Sequence, residues 1–346
     1  MQNGRIFLVS FIFFTLCLLI YLFKGFLLVI SIASLMAVAT SNINAKFLKI
    51  SNNKILASML TTICMIILFF APFVYAMIEL AKALKHFDVN IITQTIEYIK
   101  NYNFTLPKSI NFLEPKIKEV LSSIDLNSLS KQALNHLSNL TKSSASFLVD
   151  MVLICIFYFF ANLYGTEIII YIKSIIPVNK NEAEEVLSEV SNVMAVVLYS
   201  MVIISILEGA LFAIITMIFG YNGFLMGIIF AVSSLIPAIG GALVYIPVSL
   251  YEFATNNAKD AIIIIIYSLV VISFIADTLI KPLIIKWINE KLVKTPTKIN
   301  ELLIFLAMIA GISTFGFWGI ILGPAILTFF ISTIKLYVIL KEKNLV

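Results

Sequence analysis

The chain has 346 residues, enough for two or three soluble domains, yet 61% of them are apolar and only 12% charged. Soluble domains run about 45–50% apolar and about 25% charged, and a mean hydropathy of +1.04 leaves too little polar surface to cover a globule in water. The bilayer is therefore the main solvent, which excludes a cytosolic enzyme, a secreted disulfide scaffold and a disordered regulator. A net charge of +5 carried by scattered lysines is too mild for nucleic-acid binding, so no nucleic-acid partner is expected. In a membrane protein such charge records loop orientation.

In chain order, Ile6 to Phe23 and Phe26 to Ala39 are apolar runs joined by Lys24-Gly25, with no convincing cleavage site between them. They predict a short helical hairpin rather than a cleaved signal peptide. A polar connector from Thr40 to Lys54 carries Lys46, Lys49 and Lys54 without acids. A third span follows from Ile55 to Leu80, with Pro72 inside it as an expected kink. Residues 1–80 thus form an N-terminal transmembrane hairpin and third span.

Residues 81–143 are the one large polar segment, read as an extramembrane helical domain. Leu84, Phe87, Ile91, Ile92, Ile96 and Ile99 recur near helical spacing, and Asp125 is placed to cap a second helix striped by Leu126, Leu129, Ala133, Leu134, Leu137 and Leu140. Its two histidines, His86 and His136, lack cysteine or carboxylate neighbours at ligand spacing. Cys17, Cys64 and Cys155 sit within apolar runs, where thiols behave as small hydrophobes. Neither metal nor any other cofactor is expected.

Residues 144–194 hold a fourth span, about Ser146 to Tyr164, and an amphipathic cytoplasmic linker. In that linker Val186, Leu187, Val190, Val193 and Met194 oppose Glu182, Glu184, Glu185 and Glu189. Residues 195–346 form the C-terminal transmembrane core. It comprises a fifth span (195–219), an interrupted apolar stretch (223–253), a clean span (261–280), a basic loop (281–301) and a broken final stretch (302–340).

Placing the Lys46/Lys49/Lys54 loop in the cytoplasm puts both termini of the first hairpin there and the 81–143 segment outside, and both chain termini are expected in the cytoplasm. The basic loop, with Lys281, Lys286, Lys291, Lys294 and Lys298 against Glu290 and Glu301, belongs inside. It does so only if 223–253 enters the membrane and returns to the same face. Pro237, Gly240 and Gly241 lie mid-stretch, where the tip of a re-entrant hairpin needs them, and broken backbone at that depth must be buried in protein or line a watery cavity. A kinked single span is the alternative. The fold class is therefore all-α: a polytopic membrane protein of about eight transmembrane segments, with re-entrant or broken helices in the C-terminal half and an extramembrane helical insert.

The sequence contains no His-Glu-x-x-His, no Gly-x-Ser-x-Gly elbow and no P-loop lysine. The chain is not read as an enzyme, and transport by it cannot be driven by its own ATP hydrolysis. Intramembrane ionisable groups are costly and functional by default. Glu208 lies midway along the fifth span, where a carboxylate must face the bundle interior or water, or stay protonated. Its bland alternative is packing glue between helices. Asp277 and Lys281 are i, i+4 on one helical face, compatible with a local ion pair, and Pro282 is expected to end that helix or sharpen its exit. Phe219-Gly220-x-x-Gly223-x-x-x-Gly227 recurs as Phe315-Gly316-x-x-Gly319-x-x-x-Gly323. Such paired interruptions point to a transporter's binding region.

Several of these residues carry a family likeness. Leu235-Ile-Pro237-Ala-Ile-Gly240-Gly241-Ala-Leu-Val-Tyr-Ile-Pro247 resembles the Ile-Pro-x-x-Gly…Ile-Pro signature of the autoinducer-2 exporter family of permeases. Asp277-x-x-Ile-Lys281-Pro282 resembles its Asp/Asn-x-x-(Leu/Ile)-(Arg/Lys)-Pro motif, and Phe315-Gly316-x-x-Gly319-x-x-x-Gly323-Pro324 its C-terminal glycine-proline segment. The order of elements is similar throughout, and specific from about residue 195. Two departures stand out: the loop after Pro282 carries Lys294-Thr-Pro296-Thr, and the span holding Glu208 lacks the expected Gly-Gln start. Any role for Glu208 therefore rests on burial chemistry alone.

The resemblance implies an eight-segment, multi-pass protein of the bacterial inner membrane, homo-oligomeric and without nucleotide binding. It implies a secondary exporter of a small polar solute such as the quorum signal autoinducer-2, or a sodium (lithium)/proton antiporter. A membrane scaffold docking envelope proteins through 81–143 is the reading from a different class. Candidate pathway or gating residues are Glu208, Pro237, Gly240, Gly241, Pro247, Asp277, Lys281, Pro282, Gly316, Gly323 and Pro324. The expected partners are the lipid bilayer and a small polar solute or cation.

Overall fold

In hydrocarbon every backbone N–H and C=O must find its partner within the chain, and the apolar runs accordingly fold as helices. A computed structural model describes residues 2–85, 126–175, 180–236, 239–255, 257–291 and 300–342, and holds no strand among them. The helices are α1 (Gln2–Phe23), α2 (Leu27–Ala39), α3 (Ser41–Ser51), α4 (Lys54–Met65), α5 (Ala71–Lys85), α6 (Leu126–Ile175), α7 (Lys180–Ile218), α8 (Gly223–Ser234), α9 (Ala242–Ala254), α10 (Ala258–Tyr267), α11 (Lys281–Lys291), α12 (Glu301–Phe315) and α13 (Gly319–Glu342). π-Helical turns fill Ile66–Phe70 and Ser268–Ile280. Among the described residues, six helical stretches are long and apolar enough to cross a membrane, seven if the bent α2/α3 pair is one span, and α8 and α9 add two shorter apolar helices. The all-α polytopic reading is borne out, with the expected segments resolved into long, bent and half-length helices.

The segment from 86 to 125, which holds His86 and Asp125, lies outside the described residues. The expected second helix of the insert is not separate from the fourth span: α6 runs unbroken over 50 residues. Likewise the amphipathic linker and the fifth span are one helix, α7, of 39 residues. Val190, Val193 and Met194 from its apolar face are buried.

Pro282 acts differently from expectation. A proline ring collides with the carbonyl four residues earlier and removes an N–H. Here that mismatch is absorbed by a widened π ladder just upstream, at 66–70 before Pro72 and at 268–280 before Pro282. The 54–79 stretch remains one span. The helix carrying Asp277 neither ends nor exits at Pro282, and continues as α11 to Lys291, so the first part of the basic loop is helical. The real break lies in the supposed connector. α3 turns 64° from α2 at Thr40, stops at Asn52 with φ +49°, and Asn53 caps α4 by accepting from the N–H groups of Ile55 and Leu56.

The chain divides into two compact units. The first contains residues 1–66, 150–198 and 289–346. Its bend at Thr40 is held by a buried polar chain. The hydroxyls of Thr40 and Tyr158 lie 2.6 Å apart, Thr61 donates to the Asn44 side chain at 3.0 Å, and the Asn44 amide donates to the Asn162 carbonyl at 3.3 Å. α12 and α13 form a hairpin in this unit, turning at Gly316 with φ +63°. Their backbones touch where Gly311 meets Gly319 and where Ala307 meets Gly323. A side chain at either glycine contact would separate the helices.

The second unit contains residues 67–149 and 199–288. α7 and α8 make the corresponding hairpin, turning at Gly220 with φ +81° and crossing at Gly209 and Gly227, where a methyl on Gly209 would sit 2.5 Å from the Gly227 carbonyl oxygen. Both copies of the sequence repeat are therefore the same local device: a left-handed glycine turn followed by a helix that touches its predecessor backbone to backbone. An apolar cluster of Phe212, Ile215, Phe230, Val244, Ile264 and Ile272 joins α7 through α10 and the π turn. Within it the rings of Phe212 and Phe230 stack at 4.5 Å.

Candidate functional site

The stretch 223–253 doubles back on itself. Tyr221, just before α8, donates its hydroxyl to the carboxylate of Glu252, near the end of α9, so the two ends of the stretch lie together. Phe230 packs against Gly241, whose added methyl would lie 3.0 Å from the ring, and against Val244. The tip is turned tightly: Ile236 donates to the Ser233 carbonyl and Gly240 to the Ile236 carbonyl, both at 3.0 Å. A side chain at Gly240 would strike the Ser233 carbonyl. Gly240 and Gly241 thus sit where a hairpin tip requires them. Pro237 falls outside the described residues, and Pro247 lies within α9.

Beside this hairpin, α7 presents Glu208 one turn before Phe212, at the end of the apolar cluster. Glu208 is only 5% exposed, and its electrostatic and hydrogen-bonding neighbours are Asp277, Lys281 and Ser234. The close crossing at Gly209 and Gly227 lets Ser234, the last residue of α8, come near the Glu208 carboxyl. The Lys281 ammonium lies 3.3 Å from Asp277, as the i, i+4 spacing predicted. Three of the sequence-predicted residues, Glu208, Asp277 and Lys281, therefore meet. Gly316, Gly323 and Pro324 belong to the first unit, where they build the α12–α13 hairpin, with Pro324 inside α13.

Sequence reasoning missed Ser234, a small polar residue in an apolar run, because nothing in its spacing announces it. It also missed Tyr221, Glu252 and Asn257. The one available signal was that Tyr221 and Glu252 bracket the Gly/Pro-interrupted run.

Chemically, the site is a two-carboxyl, one-ammonium group in which Glu208 is buried and Asp277 and Lys281 are half-exposed. With both carboxylates ionised it carries one negative charge in excess, and a lone excess charge in a low-dielectric interior is expensive. One proton or one small cation held between the two carboxyls balances it.

Long apolar helices, a half-length hairpin and an ionisable group at its tip define a multi-pass α-helical membrane protein of the transporter kind. The chain belongs to the AI-2E family: the family model described as "AI-2E family transporter" matches residues 8–339. A protein of Helicobacter pylori (strain J99) is 31% identical over 322 residues, covering 92% of this chain and 91% of the relative. One of Aquifex aeolicus (strain VF5) is 23% identical over 307 residues, covering 82% of each. Both carry the name "Putative transport protein". The chain is a membrane transporter.

Proposed function

We propose that this transporter exports a small polar solute such as autoinducer-2 across the bacterial inner membrane, driven by an ion or solute gradient, and that the Glu208–Asp277 pair at the hairpin tip gates it. The observation carrying this reading is the contact of a doubled-back hairpin tip, through Ser234, with a buried carboxyl facing a second carboxyl. A half-length hairpin is of little use to an anchor. Ending beside an ionisable pair, it can respond to whatever occupies that pair. Orientation follows the lysine-rich loops, with both termini in the cytoplasm, and homo-oligomers are expected.

A second reading, a sodium (lithium)/proton antiporter, is favoured by the same pair, since two carboxyls with one excess charge accept either a proton or a small cation. Purified protein in vesicles separates the readings. Uptake of autoinducer-2 under an imposed gradient supports export, whereas proton-coupled sodium or lithium movement without it supports antiport. A protein that moves neither small polar solutes nor cations under any gradient contradicts both.

A further inference from the structure

The two ends of the α8–α9 hairpin are held by different chemistry. At the tip, Ser234 meets the Glu208–Asp277 group, which on the transport reading exchanges a proton or cation. At the base, Glu252 is 6% exposed and both its carboxylate oxygens are taken: the Tyr221 hydroxyl donates to one and the Asn257 side-chain amide to the other at 2.8 Å. The Asn257 backbone N–H also donates to the Glu252 carbonyl at 2.9 Å, and Thr255 bonds the carbonyls of Tyr251 and Glu252 at 3.1 Å each.

A carboxylate near a helix C-terminus opposes the helix dipole, and among the described residues no cationic side chain is paired with Glu252. Burial of Glu252 is tolerated because a neutral donor reaches each of its oxygens, from the half-buried Tyr221 and the exposed Asn257, and a satisfied polar network fixes one arrangement of the elements it joins. Burial, and then the bond to Glu252, hold the Tyr221 phenol proton well above its ordinary range, so this donor stays in place throughout the working pH range.

We propose that Tyr221, Glu252 and Asn257 are positioning residues that keep the base of the hairpin closed as a fixed pivot, so that the solute path opens at the tip and never at the base. This rests on the transport reading above.

The test uses the full chain with Cys17, Cys64 and Cys155 replaced by alanine, reconstituted in vesicles and assayed with labelled autoinducer-2 and radioactive sodium. Tyr221→Cys combined with Glu252→Cys slows movement of the transported probe about tenfold. Bridging the two thiols with a flexible bifunctional reagent restores the rate to within about threefold of the parent. A bridged protein slower than the unbridged one overturns the proposal, because the base must then open. Glu252→Gln, which keeps an acceptor for Tyr221, retains transport, whereas Glu252→Leu loses it; equal loss in both also overturns it. A parent chain that moves neither probe defeats the transport reading instead. Amide exchange in lipid nanodiscs then decides the positioning claim. Tyr221→Phe raises exchange at Thr255 and Asn257 about tenfold and leaves Ser233 to Ile236 unchanged; unaltered exchange at the base contradicts it.

Discussion

The Tyr221 hydroxyl and the Glu252 carboxylate are hydrogen-bonded although 31 positions separate them in the chain. A single helix of that length would hold its ends about 45 Å apart, so the bond is incompatible with a kinked single span and fixes a hairpin. The same geometry makes a topological prediction. Cysteines at Asn222 and Thr255, in a cysteine-free chain, should label from one face of the membrane with impermeant maleimide. A cysteine at Lys291 should label from the other. Labelling of Asn222 and Thr255 from opposite faces would contradict the hairpin.

The glycine contacts predict opposite signs for chemically identical substitutions. A methyl on Gly319 runs into the Gly311 backbone carbonyl, and neither backbone can yield, so Gly319→Ala should lower stability by about 1–3 kcal/mol. Gly165, within α6, has nothing within 4 Å of an added methyl. Gly165→Ala should therefore raise stability by about 0.5–1 kcal/mol through helix propensity. Thermal unfolding in detergent checks both, and a Gly319→Ala protein as stable as its parent would remove the close-packed hairpin from the account.

At the α2/α3 bend the buried pairing of Thr40 with Tyr158 should outweigh an exposed ion pair of similar length. Tyr158→Phe strips one hydroxyl from a buried network and should cost about 0.6–1.5 kcal/mol. Lys54 and Glu167 lie 2.7 Å apart with side chains 63% and 52% exposed, and Lys54→Ala should cost no more than about 0.5 kcal/mol. Unfolding curves of the two variants in one detergent test the ordering, and the reverse ordering counts against the network.

How much of this was legible in the sequence depends on which physical signal each feature carries. Periodicity and length located the spans, and the arithmetic of lysines in loop 281–301 pointed to the returning hairpin. Gly220 and Gly316 were visible as a repeat, because only glycine is at ease in the left-handed turn that each makes. The Asp277–Lys281 pair was visible because i, i+4 spacing is a purely local rule. The bend at Thr40 was not legible, since a polar stretch with three lysines looks like a loop whether or not it is helical. Nor was the π winding before Pro72 and Pro282 legible, because a proline announces strain without saying where the helix absorbs it. Ser234 and Glu252 acquire meaning only from residues far away in sequence, Glu208 and Tyr221, and no spacing rule reaches that far.

Charge balance at the tip predicts that Lys281 and Asp277 are not interchangeable in effect. Asp277→Asn leaves one carboxylate and one ammonium, a balanced group that no longer calls for a proton or cation. Gradient-driven transport should fall about tenfold or more, while exchange of solute across vesicles without a gradient persists. Lys281→Ala instead leaves two facing carboxyls without their cation, so the site holds a proton or cation more tightly and should fill at lower concentrations of the coupling ion. Transport rates measured against sodium and proton concentration distinguish the two, and identical profiles for both variants would argue against a charge-balanced site.

The most direct measurement is gradient-driven transport by vesicles containing Glu208→Gln beside the parent protein, with equal amounts of folded protein inserted. Glutamine keeps the shape and the contact with Ser234 but can exchange neither a proton nor a cation with Asp277. If the pair gates transport, the parent accumulates its solute or cation against the gradient, and Glu208→Gln loses that accumulation by about tenfold or more. Accumulation by Glu208→Gln at the parent's rate and with the parent's pH profile would show that Glu208 is only packing between helices and would contradict the account.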